Sequence, residues 1–190
     1  MSLYLYLNEA WHAETWVNGG KVPINPASFY RSVEREGIYT PDENLIHKSE
    51  YDLTKLQQMA GIVLSNVKDF NMTGCTGYEP LPDICNADYY EEDGLILSFS
   101  SRLSDEIAFK MKKKTCVRII SINSLKNCID AQLGVVGQAK YCSYTSDHQR
   151  NHFLKSELDS WQAEYRLFWP LANKVEVDIP KGTAVLERSW

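Results

Sequence analysis

Long hydrophobic runs are absent from this 190-residue chain, and none approaches the ~18 consecutive apolar residues of a membrane-spanning helix. The first seven residues carry no basic stretch before their short apolar run, so we expect no secretory signal peptide. Internal repeats, low-complexity tracts and linker-like segments are also missing. With 44% hydrophobic and 24% charged residues, the composition excludes a disordered chain, a collagen-like fibre and a coiled coil, and it predicts one domain over residues 1–190.

An excess of positive charge is missing as well. The formal net charge is −5, which disfavours a general nucleic-acid binder, because phosphate contacts need a positive surface. One concentrated basic run, from Lys110 to Lys114, is predicted at the end of a helix, where cations suit the negative end of the helix dipole. This structural explanation is sufficient, so nucleic acid is not the partner we expect.

Paired cysteine motifs are the third absence. The five cysteines are an odd number and none forms a C-x-x-C pair, which indicates reduced thiols and a cytoplasmic protein. His148 and His152 stand four residues apart near Cys142, so a helix would place both rings on one face. No fourth ligand occurs at a usual zinc spacing, and we interpret both as ordinary surface histidines with no metal site.

The pattern of apolar residues and breakers predicts an α+β fold. Two segments lack a clear pattern and are predicted as loops. The first is irregular, covers 28–42 and could contain one helical turn; the second is long, covers 74–93 and could act as a lid or recognition segment. Seven or eight strands with three to four helices and no regular βαβ alternation favour a mostly antiparallel, curved or split sheet. Predicted strands cover 2–7, 94–100, 115–122, 135–144, 163–169 and 174–179, and 183–188 could add a last one. Predicted helices cover 8–18 (capped by Asn8 and stopped by Gly19-Gly20), 104–113, 123–133 (capped by Asn123 and closed by Gly134) and 147–158. The signal over 50–73 is ambiguous: 61–64 and 67–72 resemble strands, and 53–59 could be a helix.

The densest polar cluster beside apolar residues is Ser160 to Trp169. Gln162 and Glu164 are two residues apart, so at the entry of a strand both side chains would point to one face. A carboxylate and an amide side by side can bind a sugar hydroxyl and orient an acceptor group. The alternative is a strand edge with a surface Glu164–Arg166 pair worth under ~1 kcal/mol.

Hydroxyl groups mark the end of the predicted buried strand 94–100. Ser98 and Ser100 flank Phe99, so the hydroxyls could hold a carboxylate and the ring could stack on a flat heterocycle. The alternative explanation is that Ser101 or Ser104 only caps the next helix.

Aromatic residues form the third feature. Tyr4 and Tyr6 share one face of the first strand, and Phe29-Tyr30-Arg31 follows the first turn. Aromatic residues on a strand are more often part of a core than a ligand platform.

Together these features resemble the ADP-ribosyltransferase superfamily, whose members are small α+β domains with a split sheet that clamps NAD. They carry an Arg or His on the first strand, a hydroxyl-bearing motif at a middle strand end, and Gln-x-Glu or Glu-x-Glu on a late strand. Gln162-Ala163-Glu164 is similar to the last motif, and the segment 97–101 to the middle one. The first strand departs from the pattern, because it holds tyrosines instead of Arg or His. The chain also looks like a broad group of bacterial and phage proteins of toxin, defence or counter-defence type.

The resemblance implies that NAD is the substrate and that a macromolecule in a bacterial cell is modified. Glu164 would bind the nicotinamide-ribose hydroxyl and stabilise the oxocarbenium-like charge, while Gln162 would position the acceptor. Ser98 or Ser100 would orient Glu164, and Phe99 or Tyr30 would stack on nicotinamide. Arg31, or a tyrosine in its place, would anchor the pyrophosphate.

A binding protein is the alternative of another class. The acidic, aromatic segment Tyr89-Tyr90-Glu91-Glu92-Asp93 suits docking to a basic partner surface, as in an inhibitor or immunity protein of the anti-CRISPR type. The same segment also fits a solvated acidic loop. A transferase fold that has lost activity and serves as a binding scaffold combines both hypotheses.

Overall fold

The computed structural model describes residues 2–32, 42–76 and 81–190, and these contain both helices and strands. The strands are β1 Leu3–Leu7, β2 Gly20–Pro26, β3 Leu45–Lys48, β4 Val67–Met72, β5 Ile84–Glu91, β6 Leu95–Ser100, β7 Thr115–Ile119, β8 Gln138–Tyr141, β9 Ser143–Thr145, β10 Leu154–Ser156, β11 Glu164–Trp169, β12 Val175–Ile179 and β13 Ala184–Ser189. The helices are α1 His12–Asn18, α2 Ala27–Ser32, α3 Leu53–Ala60, α4 Asp105–Lys110, α5 Ile122–Leu133 and the 3₁₀ helix Glu157–Gln162.

The largest sheet is split along one edge of β6. Its eight strands are all antiparallel, and β6 pairs with β11 over its whole length. The other edge of β6 pairs with β2 only at Leu95 and Ile96, and with β1 only at Ser100, which lies opposite Tyr4. One half of the sheet, β8–β11–β6–β2–β12, therefore diverges from the other half, β1–β7–β13, beyond this single point of contact.

One face of the split sheet carries the main hydrophobic core. Alternate residues of β1, β6 and β11 point into it, because side chains along a strand alternate between the two faces. Helix α1 packs there against β2, β7 and β13, and α5 packs against β12. The fully or nearly fully buried members from the three strands are Leu3, Leu5, Leu95, Phe99, Tyr165, Leu167 and Trp169.

A second layer covers the opposite face of the sheet. It contains the antiparallel sheet β3–β5–β4, the parallel pair β9–β10 and the 3₁₀ helix. An isolated bridge between His47 and Arg150 joins β3 to the segment before β10. The small sheet and α3 share their own cluster of buried apolar residues, which includes Leu53, Leu56 and Ile84. Among the described residues, no helix is long and apolar enough to cross a membrane.

The predicted fold class is confirmed, since the structure is α+β with an antiparallel split sheet. The described residues hold six helices where three to four were expected. Helix α1 begins at His12 and not at Asn8, and Ser121, whose hydroxyl accepts from the Ser124 N–H, replaces Asn123 as the cap of α5. Gly19 ends α1 as predicted; its φ is +86°, and a Cβ there would lie 2.7 Å from a backbone nitrogen.

Three segments differ more strongly from the prediction. The predicted loop 74–93 contains β5, the central strand of the small sheet, and residues 77–80 lie outside the described part. The predicted helix 147–158 does not form; bridges, β10 and the start of the 3₁₀ helix replace it. Residues 61–64 are not a strand. In the segment 28–42, helix α2 supplies the one helical turn that the sequence allowed, and residues 33–41 lie outside the described part.

Candidate functional site

The gap between the diverging strands β1 and β6 forms a cleft on the polar face of the sheet. Two adjoining cavities of about 50 and 170 Å³ occupy it. Both are lined by residues from β1, β6, the end of α4, the 3₁₀ helix and β11: Tyr6, Ser98, Met111, Gln162 and Glu164. Tyr4 lines the smaller cavity, and Tyr30, Glu43, Lys113 and Lys155 extend the larger one. All three features singled out in the sequence therefore contribute to one cleft.

Glu164 lies at the inner wall of the cleft and is only 5% exposed. Ser98 Oγ donates to its Oε1 at 2.5 Å and Arg166 Nε donates to the same oxygen at 2.7 Å. Lys155 Nζ donates to Oε2 at 2.9 Å. Ser98 is itself exposed on the cleft side. The carboxylate is thus held from three directions, and the contact with Ser98 is the one expected from the sequence.

Three buried charges lie around this carboxylate, and together with Glu164 we call them the charge cluster: Glu43, Lys155, Glu164 and Arg166. Lys155 Nζ lies 3.1 Å from Glu43 Oε1, and Arg166 Nη2 lies 2.8 Å from Glu43 Oε2. All four side chains are less than 9% exposed. Two cations balance two anions, which is the arrangement that makes buried charges tolerable.

The charge cluster fixes the protonation state of its members. Burial alone would raise the pKa of Glu164, but the Arg166 and Lys155 charges outweigh burial and hold that pKa well below its usual range. The pKa of Glu43 is lowered by the same balance of burial against the two cations. Burial works against the charged form of Lys155, yet the two carboxylates raise its pKa above the ordinary value. Glu164 is therefore an anion at any physiological pH.

The side chains of Gln162 and Glu164 come together, but not as residues of the same strand, as was predicted. The strand begins at Glu164, because Gln162 is the last residue of the 3₁₀ helix and Ala163 between them has a φ of +46°. The two side chains nevertheless converge, since Lys155 Nζ also donates to Gln162 Oε1 at 3.0 Å. Gln162 Nε2 donates to Asp159 Oδ1 at 3.2 Å. The amide and the carboxylate share one cation at the wall of the cleft.

Ser98, Phe99 and Ser100, predicted at the end of a strand, lie on β6, with the two serines on one face and Phe99 on the other. Ser100 is buried, and its hydroxyl donates to the Gln162 carbonyl at 2.8 Å, so it holds the backbone of the site and does not touch Glu164. The Phe99 side chain packs into the main core and is 2% exposed. Phe99 is among the residues that line the smaller cavity, but the alternation along the strand directs its ring toward the core, so its position gives little support to the expected stacking role.

Tyr30 and Arg31, the two residues of α2 that were predicted to contact NAD, lie in different places. Tyr30 lines the larger cavity. Arg31 forms an exposed ion pair with Glu91 and lines neither cavity. The expected contact of Arg31 with a pyrophosphate in the cleft therefore lacks support from its position.

Two alternative interpretations of the sequence, a surface Glu164–Arg166 pair and an acidic loop over 89–93, do not match the structure. Glu164 and Arg166 are not a surface pair, since Arg166 is 1% exposed and its Nη1 donates to the His152 carbonyl. The segment 89–93 is not a loop either, because residues 89–91 belong to β5, although the side chains of Glu91 and Glu92 remain exposed. Its side chains contact others in the chain: Tyr89 with His47, Tyr90 with Lys68, Glu91 with Arg31, Glu92 with His152 and Asp93 with Ser28.

His148 and His152, expected as surface histidines that a helix would place on one face, have side chains only 13% and 7% exposed and have separate partners. His148 lies beside Asp147 and Ser49, whereas His152 Nε2 is 3.0 Å from Glu92. Burial lowers the pKa of His152 despite the neighbouring carboxylate. In the described ranges, no group of three or more His, Cys, Asp and Glu residues is placed to hold a metal ion.

Sequence reasoning missed three residues of the site. Lys155 and Glu43 complete the charge cluster, and the Tyr144 hydroxyl accepts a hydrogen bond from the Glu164 backbone N–H at 2.9 Å. Burial raises the pKa of Tyr144 to about 12. Glu43 lies 112 residues before Lys155 in the chain, and no local pattern marks either residue.

Searches for related proteins add no further constraint on the class of protein. No protein-family model, no curated protein and no solved structure matches this chain. The function is accordingly argued from the cleft and its side chains.

Proposed function

We propose that this chain is an NAD-dependent ADP-ribosyltransferase that modifies a macromolecule inside a bacterial cell. The observation that carries the proposal is the convergence of Tyr4, Tyr6, Ser98, Gln162 and Glu164 in the cleft where the sheet splits. These residues come from three separate parts of the chain. The resemblance to the transferase superfamily singled out Ser98, Gln162 and Glu164, and the two tyrosines stand on the strand where it expects Arg or His. Phe99 and Ser100 also line the smaller cavity and Tyr30 the larger one, whereas Arg31 lines neither.

Glu164 is the catalytic group in this proposal. Its carboxylate offers about four acceptor positions, of which Ser98, Arg166 and Lys155 fill three. The remaining position on Oε2 can accept a hydroxyl of the nicotinamide ribose. When the bond between ribose C1′ and the nicotinamide nitrogen breaks, the electron pair leaves with nicotinamide and C1′ gains positive charge. A fixed, ionised carboxylate beside this charge stabilises the transition state.

The charge cluster supports this step by holding the Glu164 carboxylate in place. Because its four charges sum to zero, the effect on C1′ depends on how close the Glu164 oxygens lie and not on net charge. The contacts with Arg166 and Lys155 leave the carboxylate no freedom to turn away. A catalytic group held in this way needs no reorganisation at the moment of reaction.

NAD is larger than the enclosed part of the cleft. Ligand pockets usually measure ~300–1,000 Å³, and the larger cavity measures about 170 Å³. The cleft would therefore take the nicotinamide ribose, with Tyr4, Tyr6 or Tyr30 against the nicotinamide ring. The pyrophosphate would lie at the opening, where Lys113 takes the part first assigned to Arg31.

NAD turnover by the purified chain tests this proposal. We would measure nicotinamide release and transfer of labelled ADP-ribose in a bacterial lysate, for wild type, Glu164→Gln and Glu43→Gln. Removing an electrostatic contact to the reacting centre typically costs ~100- to 1,000-fold in rate, and we expect that loss for Glu164→Gln. Glu43→Gln removes the same charge from the same charge cluster, so its loss of stability should be similar and its loss of turnover about tenfold or less.

A wild-type chain that neither releases nicotinamide nor binds NAD would overturn the transferase proposal. Equal loss of turnover in the two variants, in proportion to their loss of fold, would remove Glu164 from the catalytic role. In the first case the alternative of a partner-binding inhibitor would be pursued by isolating the partner.

A further inference from the structure

Asp159 is a half-buried carboxylate to which the proposed reaction assigns no part. It lies on the 3₁₀ helix, three residues before Gln162. Side chains three residues apart eclipse along a 3₁₀ helix, so Asp159 lies beside the Gln162 amide. Its Oδ1 accepts a hydrogen bond from Gln162 Nε2 at 3.2 Å. Asp159 itself lines neither cavity of the cleft, whereas Gln162 lines both.

The orientation of the Gln162 amide is fixed by two partners of opposite character. Lys155 Nζ carries only donors, so the atom that it contacts at 3.0 Å must be the amide oxygen. An ionised carboxylate only accepts, so the atom that faces Asp159 must be the amide nitrogen. A flipped amide would place its N–H groups against the ammonium and its oxygen against the carboxylate. The two contacts together exclude this flip.

Lys155 alone could not hold the amide in one orientation. Its three N–H groups are all used, because Nζ also donates to Glu43 Oε1 at 3.1 Å and to Glu164 Oε2 at 2.9 Å. The terminal torsion of a glutamine side chain is broad, so a single contact at Oε1 would leave the amide plane free to rotate. The second contact, from Nε2 to Asp159, is the one that fixes the plane.

The surroundings of Asp159 do not favour its charge. Burial raises the pKa of its carboxyl above the ordinary value, and Lys155 acts in the opposite direction. Three nearby carboxylates add to the rise: Glu43, Asp42 and Glu164. Within the described ranges Asp159 forms no ion pair, since Lys155 pairs with Glu43 and Glu164. A carboxylate in such a position beside a cleft is typical of a functional site.

We infer that Asp159 is a positioning residue for the transfer step, which holds the Gln162 amide so that its second N–H faces the acceptor group of the macromolecule, a role that rests on the proposed function. After the contacts with Lys155 and Asp159, one N–H and one oxygen lone pair of Gln162 remain for a ligand in the cleft. A donor fixed in this way binds a lone pair of the acceptor group and holds the attacking atom near ribose C1′.

Transfer to a macromolecule and hydrolysis by water differ in their need for this contact. In both reactions the attacking atom forms a bond to C1′, nicotinamide leaves with the electron pair of the broken bond, and the proton of the attacking group passes to solvent. Water reaches an open cleft at high concentration, whereas a macromolecular acceptor has to be held in place. Loss of the Asp159 contact should therefore reduce transfer more than hydrolysis.

NMR of the full chain labelled with ¹⁵N tests the contact without NAD. The Gln162 side-chain amide is assigned as the pair of resonances that disappears in Gln162→Glu. In Asp159→Ala we expect the bonded hydrogen to shift upfield and rotation of the amide to become faster. Asp159→Asn, whose side-chain oxygen can still accept, should keep most of the wild-type pattern. Glu157→Ala, which removes an exposed carboxylate from the same 3₁₀ helix, should keep all of it.

The ratio of ADP-ribose transferred in lysate to nicotinamide released tests the role in transfer. Misplacement of a reacting group by about 1 Å can cost ~100-fold in rate, and we expect Asp159→Ala to lower the ratio by about tenfold. Asp159→Asn should restore most of the ratio, and Glu157→Ala should leave it as in wild type. A purely structural effect would lower transfer and release in proportion and would not change the ratio.

An unchanged Gln162 amide in Asp159→Ala, or an unchanged ratio, would overturn the positioning role and leave the transferase proposal standing. Equal changes in Glu157→Ala would overturn the positioning role as well, because they would come from the 3₁₀ helix as a whole. A wild-type chain that releases no nicotinamide would overturn the transferase proposal, and the role of Asp159 in transfer with it, whatever the amide resonances show.

Discussion

The two faces of strands β1, β6 and β11 differ in chemistry beside the cleft, although alternate residues of the same strands build both. On one face Leu5, Phe99 and Leu167 join the main core. On the other face Ser98 and Glu164 meet at the cleft, backed by the charge cluster. The alternation of side chains along a strand thus places core residues and candidate active-site residues within the same few positions of the chain. The face that carries the buried charges also needs a covering layer, because that layer supplies partners for them.

The largest effect is expected from breaking the charge cluster. Arg166→Met leaves Glu43 and Glu164 with only Lys155, and removing one partner of a buried ion pair typically costs ~3–5 kcal/mol. Urea denaturation should show that loss in the free energy of unfolding. Lys140→Met, on the neighbouring strand opposite Arg166 and exposed, should cost less than about 1 kcal/mol.

A loss below about 1 kcal/mol for Arg166→Met would contradict the account. It would mean that the polar face contributes little to the fold and that its charges are solvated. The two faces would then differ in polarity but not in their need for partners.

The next largest expected effect is a loss of folding stability at low pH, caused by His47 in the layer that covers the polar face of the sheet. His47 is 2% exposed, and its Nε2 accepts a hydrogen bond from the Leu53 N–H. Burial first, and then the nearby His148 and Arg150, lower the pKa of His47 to about 4, while Asp52 and Asp147 act in the opposite direction. The folded protein therefore favours the neutral ring, and the unfolded chain takes up the proton first as pH falls.

The sign of this effect is a loss of stability at low pH. Stability from His47 is complete above about pH 6.5 and is lost as pH falls toward 4, by up to roughly 3 kcal/mol. Urea midpoints measured across this range should fall for wild type and fall less for His47→Gln, whose side-chain oxygen can still accept from Leu53. Parallel curves for the two proteins would show that His47 is not the titrating group.

The smallest effect is expected from Phe99, whose ring the sequence analysis suggested could stack on nicotinamide. Phe99→Leu should lower the free energy of unfolding by about 1 kcal/mol, because it shortens a side chain in the main core. It should change the affinity for NAD little in calorimetry, since the ring is 2% exposed and packs into the main core. Tyr4→Leu, on the cleft side, should weaken NAD binding, and the reverse ranking of the two variants would contradict the assignment of faces.

The core-facing residues could be predicted from the sequence, because each strand has its own recognisable pattern of apolar residues. The runs that became β6, β7 and β11 are rich in apolar and β-branched residues, and Gly134 in a left-handed conformation ends α5 as expected. Glu164, Gln162 and Ser98 were also predicted as site residues from their spacing and neighbours. These are local signals, readable within a few residues.

The covering layer was not predictable because its contacts are long-range and its pattern is interrupted. Strands β4 and β5 shift register around residues with positive φ, Asp69 at +50° and Asn86 at +51°, which breaks the period-2 alternation. Lys155 lies in a segment whose polar residues resemble a helix or loop. Its partners come from positions distant in the sequence, and only the folded chain brings them together.

Hydrogen exchange with and without NAD tests the central claim most directly. The edge of β6 between Leu97 and Phe99 lies apart from β1, so its backbone groups are open to solvent and a bound ligand would shield them. The account predicts that saturating NAD slows exchange in peptides covering β1, the end of β6 and residues 161–164, and leaves α5 and β12 unchanged. Unchanged exchange along β1 and β6, or protection confined to other elements, would contradict the claim that the cleft between the two halves of the sheet is the NAD site.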